Sequence, residues 1–300
     1  MKRILIAANT HSAHGKGAEI LRKAERGFAQ RGVQCEVLVS QHSGYLFEAL
    51  PPRLHEPWDA VVALGGDGTL FQVLNCCLKH DGFAAPIGLI PAGTGNSFSK
   101  EFCNGVAEPA WQRIIAGTAM PVDVLHCRLA KSEDAYGREY FFINVLGVGF
   151  VSEVNVNALR HKRWGAFAYA LAVVLTLAKF KAAQLRLTVD GRLLERKSMF
   201  AMLCNSRYTG GQMKVAPHAE INDGLMEVVL LHEVSRAELL RAFPTVYAGT
   251  HIHHPKIEIL RCQKLHLEAE PVQLLTPDGE VVGHTPMEVE VLPRRIQFIL

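Results

Sequence analysis

Asp59-Ala60-Val61-Val62-Ala63-Leu64 runs directly into Gly65-Gly66-Asp67-Gly68-Thr69. The first six residues form a short apolar stretch of the kind a buried parallel strand requires. The glycines that follow let the backbone turn sharply and lie close to a ligand, with N–H groups free to face oxygen anions. Residues 69–78 then read as a helix, and the N-terminal end of a helix favours negative charge. Strand, glycine turn and helix together predict a phosphate site. Asp67 is the only ionic side chain in that turn. A carboxylate beside phosphates repels them unless a cation lies between, so Asp67 points to magnesium.

A second turn repeats the pattern. Ala85-Pro86-Ile87-Gly88-Leu89-Ile90 predicts another strand and leads into Pro91-Ala92-Gly93-Thr94-Gly95-Asn96-Ser97, after which Phe98-Ser99-Lys100 starts a helix. In open α/β sheets ligands bind at the carboxyl ends of the strands, so both loops are expected to serve one nucleotide. The common glycine signatures are missing. Ala7-Ala8-Asn9-Thr10-His11-Ser12 stands after the first strand where Gly-x-Gly-x-x-Gly would be, and there is no Gly-x-x-x-x-Gly-Lys-Ser/Thr.

These loops, with two later segments, resemble the diacylglycerol kinase catalytic domain superfamily, which includes bacterial soluble diacylglycerol kinases, sphingosine kinases and ceramide kinases. Gly65 to Thr69 is similar to the family's nucleotide loop, and Pro91 to Asn96 to its second loop. Asn205-Ser206-Arg207-Tyr208-Thr209-Gly210-Gly211 and Asn222-Asp223-Gly224-Leu225 resemble its Asn-x-x-Tyr-x-Gly-Gly and Asp-Gly-Leu segments. Thr276-Pro277-Asp278-Gly279-Glu280 resembles its closing Asp-Gly-Glu hairpin. These matches occur in the family's order and span nearly the whole chain.

The resemblance implies an ATP- and magnesium-dependent lipid kinase acting on a hydroxyl of a diacylglycerol-like or sphingoid lipid. It implies that Asn9, Ser40, Gly65, Gly66, Asp67, Gly68, Thr69 and Thr94 meet the nucleotide, with Asp123 joining the metal or water network. It places the proton acceptor in the Asp-Gly-Glu turn, as Asp278 or Glu280, with Asp67 also in the catalytic set. A structural magnesium is implied at Asp223 with the carbonyls of Glu220 and Leu225. Read alone, Asp278-Gly279 is equally an ordinary hairpin turn, and Asn222-Asp223-Gly224 an ordinary turn before a strand. The chain departs from the family pattern at Phe71 and Gln72, where Asn-Glu is common, and at Ser97, where Asp is common. A kinase of NAD shares Gly-Gly-Asp-Gly and is one alternative. A non-catalytic lipid-binding protein that keeps the fold is another.

Composition agrees with an enzyme. The 32 basic and 29 acidic residues leave a net charge of +3, and no basic stripe interleaved with aromatics marks a nucleic-acid partner. Seven cysteines without Cys-x-x-Cys spacing predict neither a disulfide framework nor a zinc site, which suits a reducing cytoplasm. The fourteen histidines, His251, His253 and His254 among them, show no ligand spacing and read as a solvated loop. Residues 164–178 carry no charge and lie between basic flanks, yet fall short of the roughly 20 residues a spanning helix needs. The run therefore predicts a core helix or a peripheral contact with the inner membrane face, where the lipid substrate resides. A homodimer is compatible with the sequence.

Strands at 3–8, 35–40, 59–64 and 87–90 alternate with helical patterns, of which 18–30 is the clearest, and predict a Rossmann-like α/β nucleotide domain over 1–121. Strands then follow at 123–129, 140–145, 184–189, 198–204, 226–231, 257–260, 264–268 and 295–299, with helices at 164–178 and 237–248. They predict a mostly antiparallel β-sandwich lipid domain over 122–300.

Overall fold

The computed structural model describes residues 2–12, 15–103, 110–131, 137–160, 167–177 and 180–299. The chain divides into two compact units, Met1–Val124 with Pro293–Leu300, and Leu125–Leu292. The sequence places the division at 121/122 and assigns all later residues to the second domain; the last strand instead returns to the first unit.

In chain order the first unit holds β1 (Arg3–Ala8), α1 (Gly17–Gln30), β2 (Gln34–Val39), α2 (Tyr45–Ala49), β3 (Ala60–Gly65), α3 (Asp67–Lys79), β4 (Ile87–Pro91), α4 (Lys100–Cys103), α5 (Ala110–Ala116) and the start of β5 (Ala119–Leu129). β1 pairs in parallel with β2 on one side and β3 on the other, and β3 with β4. The sheet runs β2-β1-β3-β4, so the chain reverses its direction of winding between β1 and β3. That is the switch point at which open α/β sheets bind ligands. Every residue of β3 and β4 is buried, as their unbroken apolar runs require.

The second unit continues with β6 (Glu139–Phe142), β7 (Val145–Gly149), α6 (Phe150–Arg160), α7 (Phe167–Leu177), β8 (Ala183–Val189), β9 (Arg192–Cys204), β10 (Tyr208–Thr209), β11 (Met213–Lys214), β12 (Met226–His232), α8 (Arg236–Ala242), α9 (Thr245–Ala248), β13 (Ile257–Cys262), β14 (Lys264–Glu270), β15 (Leu274–Pro277), β16 (Gly283–His284) and β17 (Met287–Ile299). This unit is an antiparallel β-sandwich. β9 carries the corner: its first half pairs with β8, and from Phe200 to Cys204 it lies between β7 and β12. Asp190 and Gly191, both at positive φ, turn β8 into β9.

Two expected elements are divided. The strand predicted over 140–145 breaks at Ile143-Asn144, because those residues turn their N–H groups to Asp278 rather than to a neighbouring strand. The helix predicted over 237–248 becomes α8 and α9 around Pro244, which has no N–H to continue α8. For the apolar run at 164–178, residues 164–166 and 178 lie outside the described residues. Within α7, Ala172, Val173, Thr176 and Leu177 are buried while Val174 and Leu175 are 52% and 45% exposed, so the helix packs by one face and offers an apolar second face. No helix among the described residues is long and apolar enough to cross a membrane.

The return of β17 to the first unit is a packing event. Phe298 and Ile299 pair in parallel with Ile87 and Gly88 of β4. Phe298 is fully buried, edge-on to Phe98 and stacked on Phe102. Phe298→Ala removes a ring that nothing nearby replaces and is expected to cost about 3–5 kcal/mol by chemical denaturation. A loss below about 1 kcal/mol would mean that this strand is peripheral to the core.

Candidate active site

In the first unit the predicted nucleotide residues gather at the carboxyl ends of the parallel strands. Asn9 follows β1, Ser40 follows β2, Gly65 to Thr69 join β3 to α3, and Thr94 lies in the loop after β4. The Asn9 side-chain oxygen accepts the His11 N–H at 3.1 Å, and Ser40 Oγ donates to the His42 carbonyl at 3.1 Å, so both side chains brace their own loops. Thr94 is exposed.

The two glycine loops touch backbone to backbone. A Cβ on Gly93 would lie 2.4 Å from Gly66 Cα, and one on Gly65 would lie 2.2 Å from Thr69 Oγ1. Glycine at these positions is a steric requirement of the close approach. Asn96, at φ 51°, clips its own loop: Oδ1 accepts the Gly93 N–H and Nδ2 donates to the Gly93 carbonyl. Asp67, the first residue of α3, ties one loop to the other. Its Oδ2 accepts the Ser97 N–H at 3.0 Å and its Oδ1 the Phe98 N–H at 3.4 Å. Desolvation pushes the Asp67 carboxyl above its ordinary value, opposed by the hydrogen bonds from Ser97 and Phe98. The Ser97 hydroxyl also donates to Asp67. Phe71, where the family has Asn, is buried edge-on to Phe47 and has become core. Sequence reasoning took Lys100 only as a helix start. Its field reaches Asp67, and desolvation lowers its own pKa.

Asp123 is fully buried on β5, and its Oδ1 accepts the Arg294 N–H at 2.6 Å. That bond holds Arg294 at φ 50°, so the visible work of Asp123 is to fix the bend that brings β17 back.

In the second unit, the Asp-Gly-Glu turn and the Asn205 segment meet at the β6–β7 break. Asp278 Oδ1 accepts the N–H groups of Asn144 and Val145 at 3.0 and 3.1 Å, and Oδ2 that of Ile143 at 3.1 Å. The Asn144 carbonyl receives the Asn205 N–H, and Asn205 Nδ2 donates to the Ile143 carbonyl at 2.9 Å. Asp278 and Gly279 both have positive φ, and the Glu280 N–H returns to the Pro277 carbonyl, giving the tight turn the sequence allows. The two acidic side chains thereby take different parts. Three backbone donors occupy Asp278, whereas desolvation alone pushes the Glu280 carboxyl above its ordinary value.

Below this turn is a small pocket lined by Val145, Gly147, Asn155, Thr276, Gly210 and Gly279, and by Val151, Met202, Thr209 and Met213. The last four also line a larger, almost wholly apolar cavity that is partly open to solvent. Its other walls come from α6, α7, β12 and α8, including Phe150, Val173, Val229 and Leu239. Nothing in the sequence patterns singles out this cavity, because most of its residues read as ordinary core.

A structural ion at Asp223 would have to compete with an ion pair. Asp223 Oδ1 accepts the Leu225 N–H at 3.0 Å, and Oδ2 is paired with the Arg261 guanidinium, which already supplies the counter-charge. Chelation is therefore expected to leave the wild-type melting temperature unchanged; a fall on adding EDTA would restore the ion. At Asp67 the residues do fit magnesium. Two amide bonds leave acceptor capacity on a carboxylate, and magnesium bound with phosphates needs only one or two protein carboxylates.

A parallel sheet with paired glycine loops at its switch point, joined to an antiparallel sandwich, defines a kinase of the α/β-plus-sandwich type. Residues 3–127 match the diacylglycerol kinase catalytic domain, and residues 144–300 the YegS C-terminal NAD kinase beta sandwich-like domain. The chain is 28% identical over 302 residues to a diacylglycerol kinase of Mycobacterium tuberculosis (strain CDC 1551 / Oshkosh), covering 99% of this chain and 94% of that one. It is 26% identical over 306 residues to a diacylglycerol kinase of Bacillus subtilis (strain 168), covering 100% and 97%. A crystal structure of a candidate diacylglycerol kinase from Bacillus anthracis str. Sterne superposes with a TM-score of 0.80 at 25% identity, over 99% of this chain and 94% of that one. The chain belongs to the diacylglycerol kinase family of lipid kinases.

Proposed function

We propose that the protein transfers the γ-phosphoryl group of ATP to a hydroxyl of a diacylglycerol-like or sphingoid lipid. The observation that carries this reading is the shared wall of Val151, Met202, Thr209 and Met213, which joins an apolar cavity to a polar pocket beside the Asp-Gly-Glu turn. An acyl or alkyl chain in the first leaves a headgroup hydroxyl in the second, beside Gly279 and next in sequence to Glu280. A nicotinamide dinucleotide has no use for the apolar part.

Glu280 is the proton acceptor in this reading. A carboxylate whose pKa is raised by burial is a stronger base than an exposed one. Asp278 shapes the turn, its lone pairs given to Ile143, Asn144 and Val145. The glycine loops present N–H groups to the phosphates from the switch point, with Asn9, Ser40 and Thr94 at its rim. Magnesium, when bound, neutralises phosphate charge, and Asp67 is the side chain that would hold it. Val174 and Leu175 suit contact with the bilayer that supplies the lipid.

Incubation with labelled ATP and mixed micelles of lipid alcohols, in parallel with NAD, tests the activity. Label in NAD alone, or in no acceptor, would overturn it. Ala242→Phe, which fills the cavity from α8, is expected to raise KM about tenfold for a long-chain lipid alcohol and leave kcat/KM for a short-chain one within about twofold. Equal effects on both would place the chain elsewhere.

A further inference from the structure

Among the described residues that line the apolar cavity, His251 carries a buried polar atom with nothing to bind. His251, in a 3₁₀ turn over Thr250–His253, is 6% exposed and forms part of the cavity wall. Its Nε2 lies 3.0 Å from the Val215 carbonyl oxygen. A carbonyl only accepts, so Nε2 carries the proton and donates, and Nδ1 presents a lone pair. That Nδ1 has no hydrogen-bond partner among the described residues and is closed off from solvent. Burial favours the neutral ring, which keeps the lone pair available. The other histidine of the wall differs: His254 accepts the Lys256 N–H through Nδ1 and faces Glu238 through Nε2. A buried acceptor left without a donor carries a desolvation cost that a bound ligand can remove.

We infer that the cavity selects a chain interrupted by one hydrogen-bond donor, an amide N–H or a chain hydroxyl, which His251 Nδ1 receives. The inference rests on the lipid-kinase reading for the cavity's contents and adds the rule by which they are chosen. Apolar walls accept any hydrocarbon of suitable length and discriminate little among them, whereas a lone buried acceptor penalises every chain that cannot satisfy it. His251 is thus a specificity-determining residue, remote from the chemistry.

Two matched pairs of probes test this on the full-length protein by titration calorimetry without ATP, so that binding is read independently of turnover. One pair is N-octanoyl-sphingosine against 1,2-dioctanoylglycerol, which asks for an amide N–H. The other is the monoglyceride of 12-hydroxystearic acid against that of stearic acid, which asks for a chain hydroxyl. Wild type is expected to bind the donor-bearing member of at least one pair about tenfold more tightly, and the pair that responds identifies the donor. His251→Gln keeps an N–H for Val215 but removes the acceptor at the Nδ1 position, and is expected to bring that preference below about twofold. His251→Asn places its side-chain oxygen near the Nδ1 position and is expected to retain part of the preference. Equal wild-type affinity within both pairs overturns the inference while leaving the cavity as the lipid site, and this measurement needs no variant to fold. Binding of no probe, or binding that Ala242→Phe does not alter, overturns both.

Discussion

Glu280→Gln is expected to lower lipid phosphorylation by about 1,000-fold while nucleotide affinity stays within about threefold of wild type. The amide keeps the shape of the side chain and the Pro277–Glu280 turn but cannot take a proton from the attacking hydroxyl. Asp278→Asn provides the contrast. It weakens three backbone hydrogen bonds at the β6–β7 break, so its damage falls on stability before chemistry. The pH dependence has a definite sign. Burial raises the Glu280 carboxyl above its ordinary 4.5, so turnover rises with pH as this group ionises. The folded state holds the Glu280 proton more tightly than the unfolded chain does. Its contribution to stability is therefore present below the unfolded value and is lost as pH rises through the folded value. Glu280→Gln should then melt higher than wild type at pH 7, with the difference vanishing near pH 4. Turnover within a few-fold of wild type, or a variant less stable at pH 7, would remove Glu280 from the role of base.

Asp67→Asn is expected to lower turnover by about 100-fold, with a loss of nucleotide affinity as well. The Asp67 carboxylate accepts N–H groups from the opposite loop, and the asparagine amide would turn a donor toward at least one of them. The charge that would balance magnesium and the tie between the loops disappear together. Lys100 also loses its anionic neighbour, so its pKa should fall further. A variant that turns over normally would leave Asp67 as a loop brace alone.

Much of the fold was legible because period and punctuation agree. The apolar runs of β3 and β4, each followed by a glycine turn, carry the parallel sheet and its two glycine loops in one local pattern. What escaped was non-local. The return of β17 depends on Phe298 meeting Phe98 and Phe102, which are far apart in sequence. The division between Asp278 and Glu280 depends on which N–H groups face each carboxylate, a matter of the Ile143-Asn144 break that alternation alone reads as continuous strand. The pairing of Asp223 with Arg261 of β13 was equally invisible, because the two lie 38 residues apart in sequence. His251 read as part of a solvated histidine loop, and only its burial against Val215 reveals the unpaired nitrogen.

The path of β17 has a consequence for how the protein is made. The first unit takes Phe298 and Ile299 into its core, yet these residues leave the ribosome only after the entire second unit has been synthesised. The N-terminal unit therefore cannot close during its own translation. A prematurely terminated product would present glycine loops on an unfinished sheet, exposing the edge of β4 for degradation. Closure of the N-terminal sheet thus reports that translation has passed through the whole second unit.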